Sequence, residues 1–516
     1  MVKYLFIIGQ AVPYSNRSQY KTFCKVPSFG HHPSDMMLTA KIGSRIPQIP
    51  VGRLATISSQ EASYYLDKVI DHEHRLNGYP NTKSGKSWMK QVIHLGGGKN
   101  ESEQSEFANN LKEYENIIET SKYGGNVHTF LKESSDPIQT ALSETFDTLV
   151  SNGVSLITFF GHSSANKLEF SIYNPENYEN DGKYPLVISN GCLSGDIHRT
   201  GSSTAKNYVL LDQKGSIGFL ASTYYSFASY DHVYSKSFYN RLSQTQYGEA
   251  IGDIMIGVIE EMVADAPNDD ATIYSTQLIT LHGDPSVKFN SSSLPDYVIE
   301  EDDVALIPSN ISIDNDTFNV QVIITNLGLA LPDSFNVRIT RRFPDESSKI
   351  VHNGLYPSVY YKDTLNITLD IESENALGYN QLTIEVDPID GNIFGMIDEI
   401  EDEVNNRIIK DLIILSDDII PVYPYENQIC NDNNLVLKAS TVNLFAAVQS
   451  YIIQFDSVPE FNSGFMQEYT TSSVGGLIEW DIDDNLLEDD KVYFWRSSND
   501  SAGNYNWFNT NFFLGF

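Results

Sequence analysis

The sequence predicts an α/β domain over residues 1–292, followed by two all-β sandwiches over residues 301–415 and 417–516. Short apolar strands alternate with helical segments in the first part, as in α/β proteins. The pattern changes at residues 293–300, which resemble a linker, and the rest consists of alternating strands separated by turn signals. At roughly 100–200 residues per domain, the length of 516 residues fits two to four domains.

The strand-like segments of the first part are apolar on both faces, which is typical of buried parallel strands. They are Tyr4–Ile8, Gln91–Leu95, Leu156–Phe160, Leu186–Ser189 and Ile217–Ala221. Helical spacing separates them, over Gln60–Asn77, Glu103–Thr120 and Asp136–Val150. Ser58 and Ser59 are N-cap candidates for the first of these helices, with Glu61 close behind. We therefore expect a mostly parallel sheet flanked by helices on both faces.

The strands of the later part alternate apolar and polar residues, as in sheets with one buried face. They are Phe318–Thr325, Leu365–Ile371, Gln381–Val386, Lys438–Val448, Tyr451–Phe455 and Val492–Trp495. Turn residues such as Asn326 and Gly328 follow them. The pattern predicts two successive immunoglobulin-like modules.

The net charge of −34, from 68 acidic and 34 basic side chains, argues against nucleic-acid binding because such a chain repels phosphate backbones. The same excess favours solubility and offers carboxylates to calcium. No stretch approaches the roughly 20 apolar residues of a membrane helix. Met1 leads directly into a strand pattern without the features of a signal peptide, so we interpret the sequence as a fragment of a longer chain.

The three cysteines are Cys24, Cys192 and Cys430. They are too few for a disulfide scaffold, and their spacing fits no zinc motif. Because their number is odd, at least one thiol is free, although a cross-link between Cys24 and Cys430 stays open.

Two of the predicted strands end in reactive side chains. Leu156–Phe160 is followed by Gly161 and His162, and the strand at Leu186 is followed by Gly191 and Cys192. Ligands bind beyond the carboxyl ends of the strands in parallel α/β sheets. If the two strands are neighbours, imidazole and thiol face one pocket.

This pair has the chemistry of a cysteine peptidase, in which a thiolate attacks and an adjacent imidazole transfers the proton. The backbone N–H groups of Ser163 and Cys192 are candidates for stabilising the oxyanion. A buried cysteine is, however, usually a small core residue, and a histidine is usually a surface or satisfied core residue. The two residues alone leave catalysis and packing equally open.

The Gly161–Ser164 segment, followed 30 residues after His162 by Cys192, resembles the gingipain peptidase family of the caspase clan. Further segments match: Ile49–Leu54 resembles its PVGR segment, Pro33–Asp35 an upstream loop, and Leu281–Ser286 its closing GDP-S segment. The resemblance covers about residues 1–290, and the order and spacing of the four motifs make it specific.

The resemblance implies a caspase-like fold, endopeptidase activity on polypeptides without a catalytic cofactor, and structural calcium. Within the family, the chain more closely resembles the sortase-like members of the type IX secretion system, which cut and reattach carboxy-terminal sorting signals. It therefore implies secretion-system components as partners, and a place at the cell surface, in the outer membrane or outside a Gram-negative bacterium.

The sequence departs from the family in several places. Ser163 follows the histidine where glycine is frequent, and Gly96–Gly98 stands where gingipains proper have an acidic residue. A third, histidine-orienting acid is therefore not evident, although Glu101, Glu103 and Glu106 lie nearby. Arginine or lysine specificity is not expected.

Other residues carry weaker hypotheses. Gly161, Gly191, Asp196 and Tyr224 are substrate-pocket candidates, although a helix cap is favoured for Asp196 and His198, and plain packing suits Tyr224 equally well. His31, His32 and Asp35 suggest a metal site, but adjacent histidines diverge and a surface loop is favoured. Gly96–Lys99 lacks the spacing of a phosphate loop.

The second module resembles a bacterial adhesion-type immunoglobulin domain, over Val320–Gly328, Glu385–Pro388 and Ile397–Asn406. Its acidic segment is either a solvated loop or a calcium site. The third module resembles a fibronectin-like sandwich. Two functions compete with the peptidase: an inactive scaffold that acts in secretion or adhesion through the β-modules, and an adhesin whose first domain binds peptides.

Overall fold

The structure is a computed structural model that describes residues 2–78, 82–134, 144–170, 174–389, 397–400, 405–431, 434–501, 503 and 505–515.

The α/β domain is built on one sheet whose strands are short and buried. In chain order, the strands of the domain are β1 (Leu5–Ile8), β2 (Val51–Leu54), β3 (Gln91–Gly96), β4 (Asn126–Leu131), β5 (Leu156–Phe160), β6 (Ser163–Ser164), β7 (Lys167–Leu168), β8 (Leu186–Asn190), β9 (Gly218–Ser222) and β10 (Ile279–His282). Strands β6 and β7 form a separate small hairpin. The others pair in the order β1-β2-β10-β9-β8-β5-β3-β4.

The sheet is mostly parallel, with one antiparallel pairing between β10 and β9, so β1, β2 and β10 run opposite to β9, β8, β5, β3 and β4. The five strands predicted in this domain are confirmed, with ends that differ by one residue at most. Strand β2 lies in the PVGR segment, and β10 runs into the GDP-S segment. The two strands are neighbours in the sheet. Gly52 is required there, because a Cβ atom at this position would lie 2.2 Å from the carbonyl oxygen of Gly283.

Helices cover both faces of the sheet. They are α1 (Ser59–Gly78), α2 (Lys83–Lys86), α3 (Glu101–Glu119), α4 (Glu144–Asn152), α5 (Thr204–Val209), α6 (Ala228–Asn240), α7 (Ile251–Asp265) and α8 (Asp270–Leu278). Short 3-10 segments span Tyr14–Gln19, Met36–Thr39, Ser87–Lys90 and Pro175–Asn177, and a π segment spans Arg241–Thr245. Alternate strand residues form two cores, one with α3, α6 and α7 and the other with α1, α4 and α5.

Local signals explain where the predicted helices begin. The hydroxyl of Ser58 accepts the N–H of Gln60 at 3.1 Å, which caps α1 as the sequence predicted. Asn100 caps α3 by accepting the N–H of Glu103 at 3.1 Å. The predicted helix at Asp136–Val150 is described only from Glu144 onwards, and its first part lies outside the described residues.

The first sandwich follows directly. Its strands are β11 (Tyr297–Val298), β12 (Val304–Ile307), β13 (Ile311–Ser312), β14 (Thr317–Asn326), β15 (Phe335–Arg342), β16 (Ser348–Tyr356), β17 (Lys362–Asp370), β18 (Gly378–Val386) and β19 (Arg407–Leu415), with a 3-10 turn at Glu301–Asp303. One sheet joins β11, β12 and β17 to β14, and the other has the order β13-β19-β18-β15-β16. Part of the predicted linker is therefore strand, because Tyr297 and Val298 pair with β14.

The second sandwich contains β20 (Ile419–Tyr423), β21 (Gln428–Cys430), β22 (Val436–Thr441), β23 (Gln449–Asp456), β24 (Gln467–Ser473), β25 (Leu477–Asp481), β26 (Lys491–Asn499) and β27 (Phe508–Leu514), with a 3-10 turn at Asp484–Leu486. Its sheets have the orders β20-β22-β25 and β21-β27-β26-β23-β24, packed around Trp495. The predicted strand Lys438–Val448 is wrong beyond Thr441. The side chain of Asn443 accepts the N–H of Phe445 at 3.1 Å, a local turn that ends the strand.

The first sandwich is joined to the α/β domain by a buried lysine. The ammonium group of Lys90, which is 3% exposed, donates to the carbonyl oxygens of Tyr123 and Gly328. Burial lowers the pKa of Lys90 to about 7. The N–H of Ala330 donates to the carbonyl of Lys122 at 2.8 Å beside it. This junction lies where β3 and β4 begin.

Among the described helices, none has both the length and the apolar character needed to cross a lipid bilayer.

Replacing Lys90 with alanine is expected to destabilise the junction by about 2–4 kcal/mol, because two buried carbonyl groups lose their donor. Urea unfolding followed by tryptophan fluorescence measures the change. The matched control is Lys122→Ala, whose side chain is exposed and whose loss is expected to cost no more than about 0.5 kcal/mol. Equal losses for the two variants would contradict the role assigned to Lys90.

Candidate active site

The predicted dyad lies at the carboxyl ends of two adjacent parallel strands. Phe160 at the end of β5 pairs with Asn190 at the end of β8, and the N–H of Gly161 donates to the carbonyl of Asn190 at 3.1 Å. His162 and Cys192 each follow two residues after this pair. Because neighbouring strands lie about 4.8 Å apart, the imidazole and the thiol project from adjacent chain ends at one level of the sheet.

A hydrogen bond from Ser163 ties the histidine segment to the cysteine segment. The hydroxyl of Ser163 donates to the carbonyl oxygen of Cys192 at 2.8 Å. A Cβ atom at Gly191 would lie 2.3 Å from this hydroxyl oxygen, so glycine is required there. The departure from the family at Ser163 therefore adds a contact between the two segments.

The side chain of Glu103 supplies the acid that the sequence left undecided among three glutamates. Its Oε2 lies 3.0 Å from Nε2 of His162, and the same oxygen accepts the backbone N–H of Lys99 at 2.9 Å. The N–H of Lys99 and then the contact with His162 lower the pKa of Glu103, which is therefore ionised at neutral pH. The imidazole is thus held by a carboxylate.

The position of Glu103 also fixes the roles of the two ring nitrogens of His162. An ionised carboxylate only accepts hydrogen bonds, so Nε2 carries the proton that it donates to Glu103. In the neutral ring, Nδ1 is then the basic nitrogen. The ring is 38% exposed, which leaves it open to a substrate.

A sequence signal for Glu103 existed. Asn100 followed three residues later by Glu103 is the pattern of a helix N-terminus in which the glutamate reaches back to the preceding backbone. Because the pattern comes directly after β3, it places a carboxylate at the carboxyl edge of the sheet.

A second carboxylate, Glu169, holds the backbone of the site, and sequence reasoning missed it. Its Oε2 accepts the backbone N–H groups of His162 and Gly98, both at 2.9 Å. Its Oε1 accepts the ammonium group of Lys132 at 3.1 Å, and both side chains are at most 5% exposed. A Cβ atom at Gly97 would lie 2.1 Å from Oε2, so the glycines after β3 make room for this carboxylate.

The thiol of Cys192 donates to the carbonyl oxygen of Ser226, with Sγ and oxygen 3.7 Å apart. The hydroxyl of Ser226 in turn donates to Asp231 at 2.6 Å. Burial raises the pKa of Asp231 to about 7. A buried carboxyl group that is still partly protonated at pH 7 therefore lies behind the thiol.

The family-like segments at Pro33–Asp35 and Ile49–Leu54 meet the loop after Cys192 in one buried cluster. Nε and an Nη atom of Arg53 donate to the two oxygens of Asp35, each at 2.7 Å, and Nε2 of His198 lies 2.8 Å from Oδ2. Burial alone would raise the pKa of Asp35, but His198 and Arg53 outweigh it and hold the pKa below its ordinary range. These motif residues therefore position the loop after the cysteine.

The four pocket candidates separate into two pairs. Asp196 and Tyr224 line a cavity of 410 Å³ that begins at Leu193, next to the candidate nucleophile. Gly161 and Gly191 are instead packing positions beside Glu169 and Ser163. The helix-cap interpretation of Asp196 and His198 is wrong, because the next helix, α5, is capped by the hydroxyl of Ser203.

Within the described residues, no group of three or more His, Cys, Asp or Glu side chains is placed to bind a metal ion. The rings of His31 and His32 stack 5.2 Å apart, and Asp35 bonds to Arg53 and His198 instead. In the first sandwich, Glu399 accepts the N–H of Tyr297 at 2.7 Å. Residues 401–404 of the acidic segment lie outside the described residues, so structural calcium stays a prediction.

None of the three cysteines forms a disulfide in the structure, so the cross-link between Cys24 and Cys430 is absent. Cys24 and Cys430 are buried in the α/β domain and the second sandwich, and Cys192 is partly exposed.

The family model of peptidase family C25 matches residues 1–290. The chain belongs to this family. Its C25 domain is thus a cysteine-peptidase domain with the caspase-like fold that the motifs predicted.

Solved structures are similar at low identity. Gingipain R, an Arg-specific cysteine proteinase, is 15% identical, with 80% of this chain and 84% of that chain covered and a TM-score of 0.45. The complex of the pro- and mature domains of RgpB from Porphyromonas gingivalis is 15% identical, covering 80% and 86% of the two chains, also with a TM-score of 0.45. Among curated proteins, none matches the sequence significantly.

Replacing Asp231 with asparagine is expected to change how the stability of the C25 domain depends on pH. The pKa of Asp231 is raised from 3.8 to about 7 on folding, so the carboxyl group stabilises the fold fully below about pH 4 and progressively less as the pH rises to 7. The variant should therefore gain up to about 4 kcal/mol relative to the wild type between pH 4 and pH 8. Urea unfolding at both pH values measures this gain.

The control is Asp265→Asn, the same substitution at an exposed position. Its effect is expected to be small and equal at both pH values. A difference between Asp231→Asn and wild type that does not grow with pH would refute the buried, proton-bearing state of Asp231.

Proposed function

We propose that the chain is an active cysteine endopeptidase or transpeptidase, with Cys192 as nucleophile and His162 as general base and acid. The pairing of β5 with β8 supports this most directly, because it brings both side chains to one level at the carboxyl edge of the sheet. The carboxylate of Glu103, 3.0 Å from the imidazole, orients the base.

The reaction that follows has two stages. Nδ1 of His162 takes the thiol proton of Cys192, and the thiolate attacks the carbonyl carbon of the scissile peptide bond. The imidazolium returns the proton to the leaving amine, and a thioester remains on Cys192. Water or the amine of a second molecule then attacks the thioester, and His162 accepts the proton of the attacking group. The C–S bond breaks, the acyl group leaves as a carboxylic acid or a new amide, and His162 returns the proton to the thiolate of Cys192.

The oxyanion formed in each stage needs donors close to the thiol. The N–H of His162 is already given to Glu169. The following N–H, that of Ser163, and the N–H of Cys192 are therefore assigned to the oxyanion. Losing one such donor typically raises the barrier by about 2.7–4 kcal/mol.

The substrate class, location and partners belong to the same proposal. A polypeptide substrate follows from the family, and a carboxy-terminal sorting signal follows from the resemblance to sortase-like members. The net charge of −34 suits a protein at the cell surface or outside a Gram-negative cell.

Peptides incubated with the protein, with and without an added amine, separate the two reactions. Hydrolysis gives a free carboxylate product, and transfer gives a product extended by the amine, which mass spectrometry distinguishes. If neither product forms with wild-type protein, the scaffold function through the β-sandwiches takes the place of catalysis.

Iodoacetamide is expected to alkylate Cys192 at neutral pH at least about tenfold faster than a model thiol, because an adjacent imidazole promotes the thiolate. Peptide mapping distinguishes this site from the buried Cys24 and Cys430. His162→Ala should reduce the rate to that of a model thiol, whereas His128→Ala, a half-buried histidine on β4, should leave it unchanged. A Cys192 no more reactive than a model thiol in the wild type would refute the dyad.

Glu103→Gln is expected to slow the alkylation of Cys192 by iodoacetamide about tenfold near pH 7. The imidazolium of His162, which pairs with the thiolate of Cys192, then loses its carboxylate partner. Glu101→Gln, in the same first turn of α3 but exposed, is the matched control and should react like the wild type. Circular dichroism confirms that both variants keep the helix. Equal rates for the two variants would exclude Glu103 as the orienting acid.

A further inference from the structure

A cavity of 410 Å³ opens directly beside the candidate nucleophile. Leu193, the residue after Cys192, forms part of its wall, and its N–H donates to the carbonyl of Tyr224 at 2.9 Å. The volume suits one large side chain with room to spare. Because the cavity starts one residue from Cys192, a side chain that enters it belongs to a residue close to the scissile bond.

One wall of the cavity is aromatic. The rings of His31 and His32 stack with centroids 5.2 Å apart, and the ring of His32 lies 3.7 Å from that of Tyr224. Burial and then the neighbouring His31 lower the pKa of His32, so this ring is neutral at neutral pH. Such a wall favours a planar, uncharged side chain, which gains stacking contacts.

A carboxyl group lines another part of the cavity. It belongs to Asp196, and burial raises its pKa. His198 also lines the cavity, but its Nδ1 is buried and its Nε2 lies 2.8 Å from Oδ2 of Asp35. The oxygens of Asp196 therefore favour a ligand group that donates a hydrogen bond.

The charges do not favour a basic side chain. The guanidinium group of Arg199 lines the same cavity as Asp196 and offsets its charge. An aromatic ring that ends in a hydroxyl group meets both conditions, because its body stacks and its O–H donates.

We propose that this cavity is a specificity pocket that accepts a tyrosine side chain of the polypeptide substrate, close to the scissile bond. The inference rests on the proposed peptidase function. It assigns the aromatic wall at His32 and Tyr224 to the ring, and Asp196 to the hydroxyl group.

The test uses a set of peptides that are identical except at one position, which carries Tyr, Phe, Lys, Arg or Ala and is moved along the sequence. Cleavage by the full chain should be fastest with Tyr next to or within two residues of the cut. We expect kcat/KM for Tyr to exceed that for Ala and Lys by at least about tenfold, and that for Phe by several-fold. A preference for Lys or Arg, or none at all, would overturn the proposal.

A variant that fills the cavity links the preference to the pocket. Thr200 lines the cavity and is exposed, so an indole ring at this position would occupy the space meant for the substrate side chain. Thr200→Trp should therefore raise KM for the Tyr peptide at least about tenfold, and Thr200→Ala should leave it unchanged. Alkylation of Cys192 should be unchanged in both variants. Unchanged KM in Thr200→Trp would also overturn the assignment.

Binding to Cys192→Ala separates this inference from the proposed function. Fluorescence anisotropy with the Tyr and Ala peptides should show about tenfold tighter binding of the Tyr peptide, without any need for cleavage. Preferred binding without cleavage by the wild type refutes the peptidase and keeps the pocket. Cleavage by the wild type without preferred binding keeps the peptidase and refutes the pocket.

Discussion

The carboxylate of Glu169 is the contact on which the geometry of the site depends. It joins the hairpin after β5 to the glycine turn after β3 through two backbone N–H groups. Its other oxygen binds Lys132, which follows β4, so three segments beyond the sheet meet at one buried ion pair. Removing only one partner of such a buried ion pair is strongly destabilising, because the other charge is left buried without compensation. The backbone at His162 is therefore positioned by a buried ion pair.

The pKa values of two carboxyl groups near the dyad are shifted in opposite directions by their surroundings. The N–H of Lys99 and the contact with His162 lower the pKa of Glu103, whereas burial raises the pKa of Asp231. At neutral pH the full negative charge of Glu103 thus lies on the imidazole side of the site, whereas Asp231, behind the thiol, is still partly protonated. The thiol of Cys192 therefore faces less negative charge than a fully ionised Asp231 would place there.

The sequence was informative where the structure depends on local patterns. Buried strands, capped helices and the reactive residues at strand ends all follow from short-range periodicity, and the order of four motifs identified the family. Glu103 was left undecided among three glutamates and Glu169 was missed, because their partners are distant in sequence: the contact of Glu103 with His162 spans 59 residues, and that of Glu169 with Lys132 spans 37. The PVGR and GDP-S segments proved to be packing elements, since Arg53 binds Asp35 and Gly52 fits against Gly283.

The junction at Lys90 determines how far the sandwiches stand from the chemistry. The first sandwich docks where β3 begins, and the dyad lies at the level where that strand ends, six residues further on. At about 3.3 Å per residue, the two ends of the strand are separated by roughly 20 Å. A partner bound to the sandwich would need a tether of at least about six extended residues before its chain could reach Cys192. The length of the tether would then determine which peptide bond of a bound protein can reach Cys192.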